Sequence, residues 1–183
     1  MKWEWAFEKS YFPRSVCELI INQAAVIDPQ PAKVGSGVDE KIRRSIVRFI
    51  PNERQWQWLF DCLWRLALQS NAHFGFDITQ LGYIQLAEYR ASESGEYKTH
   101  HDVFWVTDNP LHRKLSCVVQ LSDPAAYAGG DLQLYEVPTL NAVEARQQGS
   151  VIFFPSFTRH AALPVTQGTR YSLAAWFEGP KWK

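Results

Sequence analysis

Histidine is scarce in this 183-residue chain, five residues in all, so the tripeptide His100-His101-Asp102 stands out. It lies in YKTHHDVFW, a run with strand character. Side chains two apart on a strand leave the same face, so His100 and Asp102 point together while His101 points away. A third donor must come from elsewhere, and His160 qualifies, because it follows the turn in FFPSFTRH and opens another strand-like run. Two neutral imidazoles and one carboxylate leave half of an octahedron open. That facial set suits non-haem Fe(II) that must also bind a co-substrate and oxygen. Zinc more often closes a tetrahedron or holds a hydrolytic water.

Arg170 lies ten residues beyond His160, in GTRYSLAAWF. On a strand it shares a face with Ser172, and a guanidinium there can grip a carboxylate bidentately with a hydroxyl assisting. A buried arginine without an anionic partner is costly, so its place between apolar residues implies a ligand. Trp176, six residues on and on the same face, is expected to line the cavity. Tyr97, Phe104 and Trp105 flank the His-x-Asp strand, where they either contact substrate or pack the barrel. His73 and His112 have no ligand partner at a sensible spacing and read as surface residues.

Helices precede the elements that must position these groups. Ser15 can cap a helix carrying Val16, Leu19, Ile20 and Ala24, with Pro29 and Pro31 beyond it. KVGSGVDEK reads as a surface loop and SIVRFI as a short strand. Asn52 can then cap a second helix with Trp56, Leu59, Phe60, Leu63, Leu66 and Ala67 on one face. From Tyr83 onward the period becomes strand-like, in YIQLAEY, YKTHHDVFW, KLSCVVQLS, DLQLYEV, SVIFF, HAALPV and RYSLAAWF. These runs predict a mainly β fold with N-terminal helices (α+β), a sandwich or closed double-sheet barrel with helices on one outer face. Gly129 and Gly130 read as a tight turn, since no lysine or helix start follows to make a phosphate loop. The chain reads as one domain: residues 1–80 a helical support, 81–179 the β-core.

Composition excludes several classes. Lys plus Arg and Asp plus Glu are both 19, so there is no basic field to attract nucleic acid. Cys17, Cys62 and Cys117 match neither a disulfide framework nor a metal knuckle and read as free thiols. The N-terminus MKWEWAFEKS lacks a signal-peptide core, and no run approaches the roughly 18 apolar residues of a membrane span. The expectation is a soluble cytoplasmic protein, with neither membrane nor nucleic acid as partner.

Four stretches carry a family resemblance, in order: GEYKTHHD with Tyr89 upstream; LSDPAAYAGGDL; GSVIFFP with His160 just beyond; and TRYSLAAW. Together they resemble the prolyl 4-hydroxylase-like (PKHD-type) branch of the Fe(II)/2-oxoglutarate-dependent dioxygenases, over about Tyr83 to Gly179. The resemblance implies a double-stranded β-helix (jelly-roll) core. It implies Fe(II) on His100, Asp102 and His160, the distal carboxylate of 2-oxoglutarate on Arg170, and Tyr89 assisting that carboxylate. Ascorbate is a further cofactor candidate. Collagen-type members usually carry lysine where this chain has Arg170, so the oxygen-sensing and bacterial members are the closer likeness. The implied reaction consumes O2 and 2-oxoglutarate, hydroxylates a prolyl residue of a peptide or protein, and yields succinate and CO2. Two alternatives stand beside it: hydroxylation of a free amino acid or other small metabolite, and a non-catalytic jelly-roll binding module. A peptide needs an open groove. A free amino acid needs a closed pocket with its own charged clamp.

Overall fold

The computed structural model describes residues 4–31, 33–34 and 37–183. In chain order the elements are β1 (Ala6–Glu8), α1 (Arg14–Ala24), β2 (Gln30–Pro31), β3 (Lys33–Val34), β4 (Gly37–Val38), β5 (Arg43–Arg44), β6 (Ile46–Ile50), α2 (Gln57–Phe74) and β7 (Gln80–Arg90). After a 3-10 turn at Ala91–Glu93 come β8 (Glu96–His100), β9 (Leu111–Gln120), β10 (Tyr127–Gly129), β11 (Leu132–Leu134), α3 (Ala142–Ala145), β12 (Val151–Pro155), β13 (His160–Ala162) and β14 (Val165–Pro180).

Two antiparallel sheets form the core, as in a double-stranded β-helix. The larger runs β1-β12-β9-β14-β7-β6-β2 with β10 added against β14, and the smaller runs β11-β13-β8-β5. Alternation along the central strands decides which residues meet which layer. Leu115, Cys117 and Val119 of β9, Leu173, Ala175 and Phe177 of β14, and Ile84 and Leu86 of β7 form one apolar cluster with the helices. Ser116, Val118, Ser172, Ala174, Trp176, Gln85 and Ala87 point the other way, into a cavity between the sheets. The helices thus cover one outer face of the β-core, as their apolar stripes predict.

Helix α2 buries Leu59, Phe60, Leu63, Leu66 and Ala67 as expected, with Trp56 buried just before it. It stops at Gly75, whose φ of 68° is left-handed, while the Asn71 side chain bonds both the N–H and the carbonyl of Phe76. The helix starts differ from the sequence reading. Pro13, not Ser15, precedes α1, and Trp56, not Asn52, precedes α2; neither makes a side-chain cap bond. Proline suits an N-terminal boundary because its fixed φ and missing N–H cost nothing there. Leu19 is exposed, and Cys17, Ile20 and Ala24 form the buried stripe of α1.

The first eighty residues are more than helical support. β1 pairs with β12, β5 with β8 and β6 with β7, so this segment completes both sheets. Of the expected loop KVGSGVDEK, Gly35 and Ser36 lie outside the described residues, and the flanking β3 and β4 pair antiparallel. Met1 to Trp3 of the N-terminal stretch also lie outside. All three cysteines are free thiols, with Cys17 and Cys117 buried. Among the described residues, no helix is long and apolar enough to cross a membrane.

Candidate active site

The smaller sheet brings the two imidazoles together. His100 ends β8 and is the direct cross-strand partner of His160, which begins β13, so their ring centroids lie 4.2 Å apart. The strand reading of YKTHHDVFW holds only to His100, and Asp102 sits in the bend that follows. A backbone hydrogen bond replaces strand geometry there: the Asp102 N–H donates to the Ser156 carbonyl at 2.8 Å. The outcome for the side chains is the expected one. Asp102 Oδ1 lies 3.8 Å from His100 Nε2 and Oδ2 lies 3.6 Å from His160 Nε2, while His101 is exposed. One donor atom from each of His100, Asp102 and His160 lies within 4.8 Å of the others, the reach of a shared metal ion.

Each donor is oriented from behind. His100 Nδ1 donates to the Lys98 carbonyl at 2.8 Å and His160 Nδ1 to the Thr158 carbonyl at 2.9 Å. A carbonyl can only accept, so each ring carries a proton on Nδ1 and turns Nε2 inward, toward Asp102. The Ser116 hydroxyl donates to Asp102 Oδ2 at 2.6 Å. Burial, followed by the neighbouring His160, pushes the His100 imidazolium down to about 3. Burial alone would raise Asp102, but His160, His100, Arg113 and the Ser116 hydroxyl outweigh it and hold the carboxyl at about 2. A neutral His100 imidazole and an ionised Asp102 carboxylate are states in which these groups can bind a divalent cation.

Deeper in the same cavity, β14 delivers Arg170, only 2 % exposed. Its Nη2 donates to Gln120 Oε1 at 2.9 Å, and its guanidinium carbon lies 5.5 Å from the centre of the Tyr89 ring. Its Nε is buried with no hydrogen-bond partner, and no carboxylate pairs with it among the described residues. A buried full charge held by a neutral amide suits an anionic ligand. Gly130 makes room for it: φ is +69°, and a Cβ there would stand 3.0 Å from Arg170 Cδ and 2.8 Å from Val165 Cγ2. The expected Gly129-Gly130 turn therefore also seats the arginine. Ser172, on the same strand face as Arg170 as expected, and Tyr89 also line the cavity.

Toward the other end, Trp176 lines the cavity and carries the Arg113 guanidinium 4.0 Å above its ring. Tyr97 also lines it, stacked on His100 with centroids 3.4 Å apart. Trp105 does not enter the cavity. It is half exposed, with its ring 6.2 Å from that of His101 and 6.1 Å from that of His112. His112 is buried rather than superficial, because Nδ1 accepts the Trp182 N–H at 3.3 Å; His73 is exposed as expected.

Polar residues in and beside the cavity escaped the sequence reading: Arg43, Gln85 and Ser116 line it, Gln120 holds Arg170, and Arg113 lies over the Trp176 ring. A signal existed for two of them. Ser116, which lines the cavity, and Gln120, which bonds Arg170, are polar at even positions of the apolar run KLSCVVQLS, the alternation that marks a strand with one polar face.

With this geometry in hand, comparison with known proteins gives a consistent family. The model of the 2OG-Fe(II) oxygenase superfamily matches residues 84–178, slightly more than half of the chain. The chain belongs to that superfamily. PKHD-type hydroxylases are similar in sequence: one from Prochlorococcus marinus is 30% identical over 89 residues, covering 49% of this chain and 39% of its own length. One from Colwellia psychrerythraea is 34% identical over 88 residues, covering 46% and 38%. The match thus spans about two fifths of those relatives. Among solved structures, a Pseudomonas putida prolyl-4-hydroxylase superposes with a TM-score of 0.75 at 20% identity, covering 96% of this chain and 93% of that one. A prolyl hydroxylase from Trichoplax adhaerens, solved with a hypoxia inducible factor peptide, gives 0.73 at 19% identity, covering 96% and 83%. These likenesses establish the fold.

Proposed function

We propose that the chain is a 2-oxoglutarate- and O2-dependent hydroxylase of prolyl residues in a peptide or protein, releasing succinate and CO2. His100, Asp102 and His160 hold Fe(II), and Arg170, assisted by Ser172 and Tyr89, holds the distal carboxylate of 2-oxoglutarate. The observation that carries this reading is the coexistence, in one cavity, of a three-donor cluster and a buried guanidinium with no acid partner among the described residues. A structural metal site has no need of the second. That coexistence weighs against a non-catalytic binding module.

Bound there, iron and 2-oxoglutarate supply the oxidising chemistry. The chain supplies placement. The carbonyls of Lys98 and Thr158 keep both imidazoles in one tautomer, and Ser116 fixes the Asp102 carboxylate so that its charge faces the metal position. Arg170 sets the depth to which the co-substrate enters. Tyr97 and Trp176 border the space left for the target carbon, two rings for apolar contact, with the Arg113 guanidinium stacked over the Trp176 ring. The prolyl preference rests on the likeness to prolyl hydroxylases in sequence and fold.

The test is mass spectrometry of a proline-containing peptide library incubated with the chain, Fe(II), 2-oxoglutarate and air. The expected result is gain of one oxygen atom on a prolyl residue, matched by an equal amount of succinate and absent without 2-oxoglutarate. Succinate formation with no oxidised peptide would move the substrate to a free amino acid or other metabolite.

A further inference from the structure

The cavity contains a second buried cation that the proposed chemistry leaves unused. Arg43 of β5 is 7 % exposed and lines the same cavity as the three donors. Its Nε donates to Ser45 Oγ at 2.9 Å and its Nη2 to Gln85 Oε1 at 2.8 Å, and its guanidinium lies 4.4 Å from the centre of the Tyr97 ring. Neither hydrogen-bond partner carries charge. Among the described residues, no carboxylate pairs with Arg43 and no group accepts from its Nη1. The arrangement repeats that of Arg170, where a glutamine amide oxygen also takes one guanidinium nitrogen and leaves the positive charge uncompensated. Burying a guanidinium in this way is unfavourable unless an anion joins it.

Arg43 is not a second finger on the anion at Arg170. Along β7, Tyr89 is paired with Arg170 and Gln85 with Ala174. Gln120, which holds Arg170, pairs with Ser172 and through it lies level with Ala87, so Gln85, which holds Arg43, sits two residues further along β7, roughly 7 Å at strand spacing. Through Tyr97, which stacks on His100, Arg43 sits beside the metal position rather than at the deep end. That is where the molecule to be oxidised must lie.

Resting on the function proposed above, we infer that Arg43 is a carboxylate-binding, specificity-determining residue: the molecule oxidised carries a carboxylate close to the target carbon, which Arg43 takes through its free guanidinium edge. The group is either the free α-carboxylate of a terminal or single residue, or an acidic side chain next to the target residue. Gln85 and Ser45 are positioning residues that fix the fork without neutralising it.

The test is anaerobic calorimetry on the full chain loaded with Mn(II) and 2-oxoglutarate. Two ligand pairs differ only in charge: N-acetyl-L-proline against N-acetyl-L-prolinamide, and acetyl-Asp-Pro-amide against acetyl-Asn-Pro-amide. In the wild type, the acid of one pair is expected to bind about 10-fold or more tightly than its neutral partner, and which pair does so identifies the source of the carboxylate. Arg43→Gln should abolish that preference while leaving 2-oxoglutarate affinity within about two-fold. Gln85→Glu should do the same with Arg43 and its packing in place, because the new carboxylate occupies the guanidinium. Equal binding within both pairs, a preference that survives both variants, or an Arg43→Gln loss of 2-oxoglutarate affinity as large as that of Arg170→Gln would each overturn the inference. Failure of the wild type to bind Mn(II) or 2-oxoglutarate would instead overturn the proposed function.

Discussion

The two faces of the larger sheet are built from alternate residues of the same strands, yet they obey opposite rules. Toward the helices, β14 presents Leu173, Ala175 and Phe177, all at most 1 % exposed and packed on apolar neighbours. Toward the cavity it presents Arg170, Ser172, Ala174 and Trp176. Charge is handled differently as well. On the helix-side parity of β7, buried Glu88 is paired with both Arg48, at 2.8 Å, and Arg90, at 2.6 Å. On the cavity side, Arg170 and Arg43 receive only glutamine and serine oxygens. On one face the buried carboxylate is paired with cations of the chain itself. On the other, the two guanidiniums are held by neutral oxygens, and under the proposed function the ligands supply the negative charge.

Substitutions on the two faces should therefore fail in different ways. Leu173→Ala removes a fully buried side chain from the helix-side cluster and should lower unfolding free energy by about 2–5 kcal/mol. Urea denaturation reads this directly, and 2-oxoglutarate affinity of the folded protein should not change. Arg170→Gln should show the converse: 2-oxoglutarate binding weakened about 100-fold, or about 2.7 kcal/mol, with a melting temperature equal to or above that of the wild type. A marked loss of stability in Arg170→Gln would erase the distinction between the faces. Ser116→Ala sharpens it further, since that hydroxyl touches the Asp102 carboxylate from behind. Metal affinity measured by competition with a chelator should drop about 10- to 100-fold with little effect on the melt.

The smallest expected effect is a pH dependence on the face whose carboxylate is paired within the chain. Burial works against ionisation of Glu88, but Arg48 and Arg90 outweigh it and hold the carboxyl below its ordinary value. A carboxyl depressed in the folded state stabilises the fold above its unfolded pKa, about 4.3, and that contribution disappears as pH falls through the lower folded value. Thermal melts of wild type and Glu88→Gln should therefore differ at pH 7 and converge on acidification below about pH 4. A gap that widened with acid would contradict the pairing.

The sequence made one set of residues visible and hid another for a physical reason. His100, Asp102, His160 and Arg170 were legible because period-2 spacing and residue chemistry are local properties. The partners that complete the site are not local: Gln120 reaches Arg170 across 50 residues and Gln85 reaches Arg43 across 42. Only strand pairing joins them, and no spacing rule marks it. Asp102 shows the limit from the other direction. Its expected direction was right, but the strand ends at His100, and the aspartate is held by the Ser156 carbonyl, which belongs to a distant turn. His112 was misjudged because burial of a single histidine depends on which segment covers it, here the stretch that carries Trp182 over His112. The helix stripes, the strand runs and the placement of helices on one face followed from periodicity alone.

The central claim is that one cavity holds both a metal and a carboxylate. Anaerobic titration of the Fe(II)-loaded chain with 2-oxoglutarate, followed by the weak visible charge-transfer band of the chelate, tests it most directly. The wild type should develop the band and saturate at one equivalent, Arg170→Gln should need about 100-fold more 2-oxoglutarate, and Asp102→Ala should give no band. A wild-type chain that binds iron without developing the band, or an Arg170→Gln titration that overlays the wild type, would contradict it.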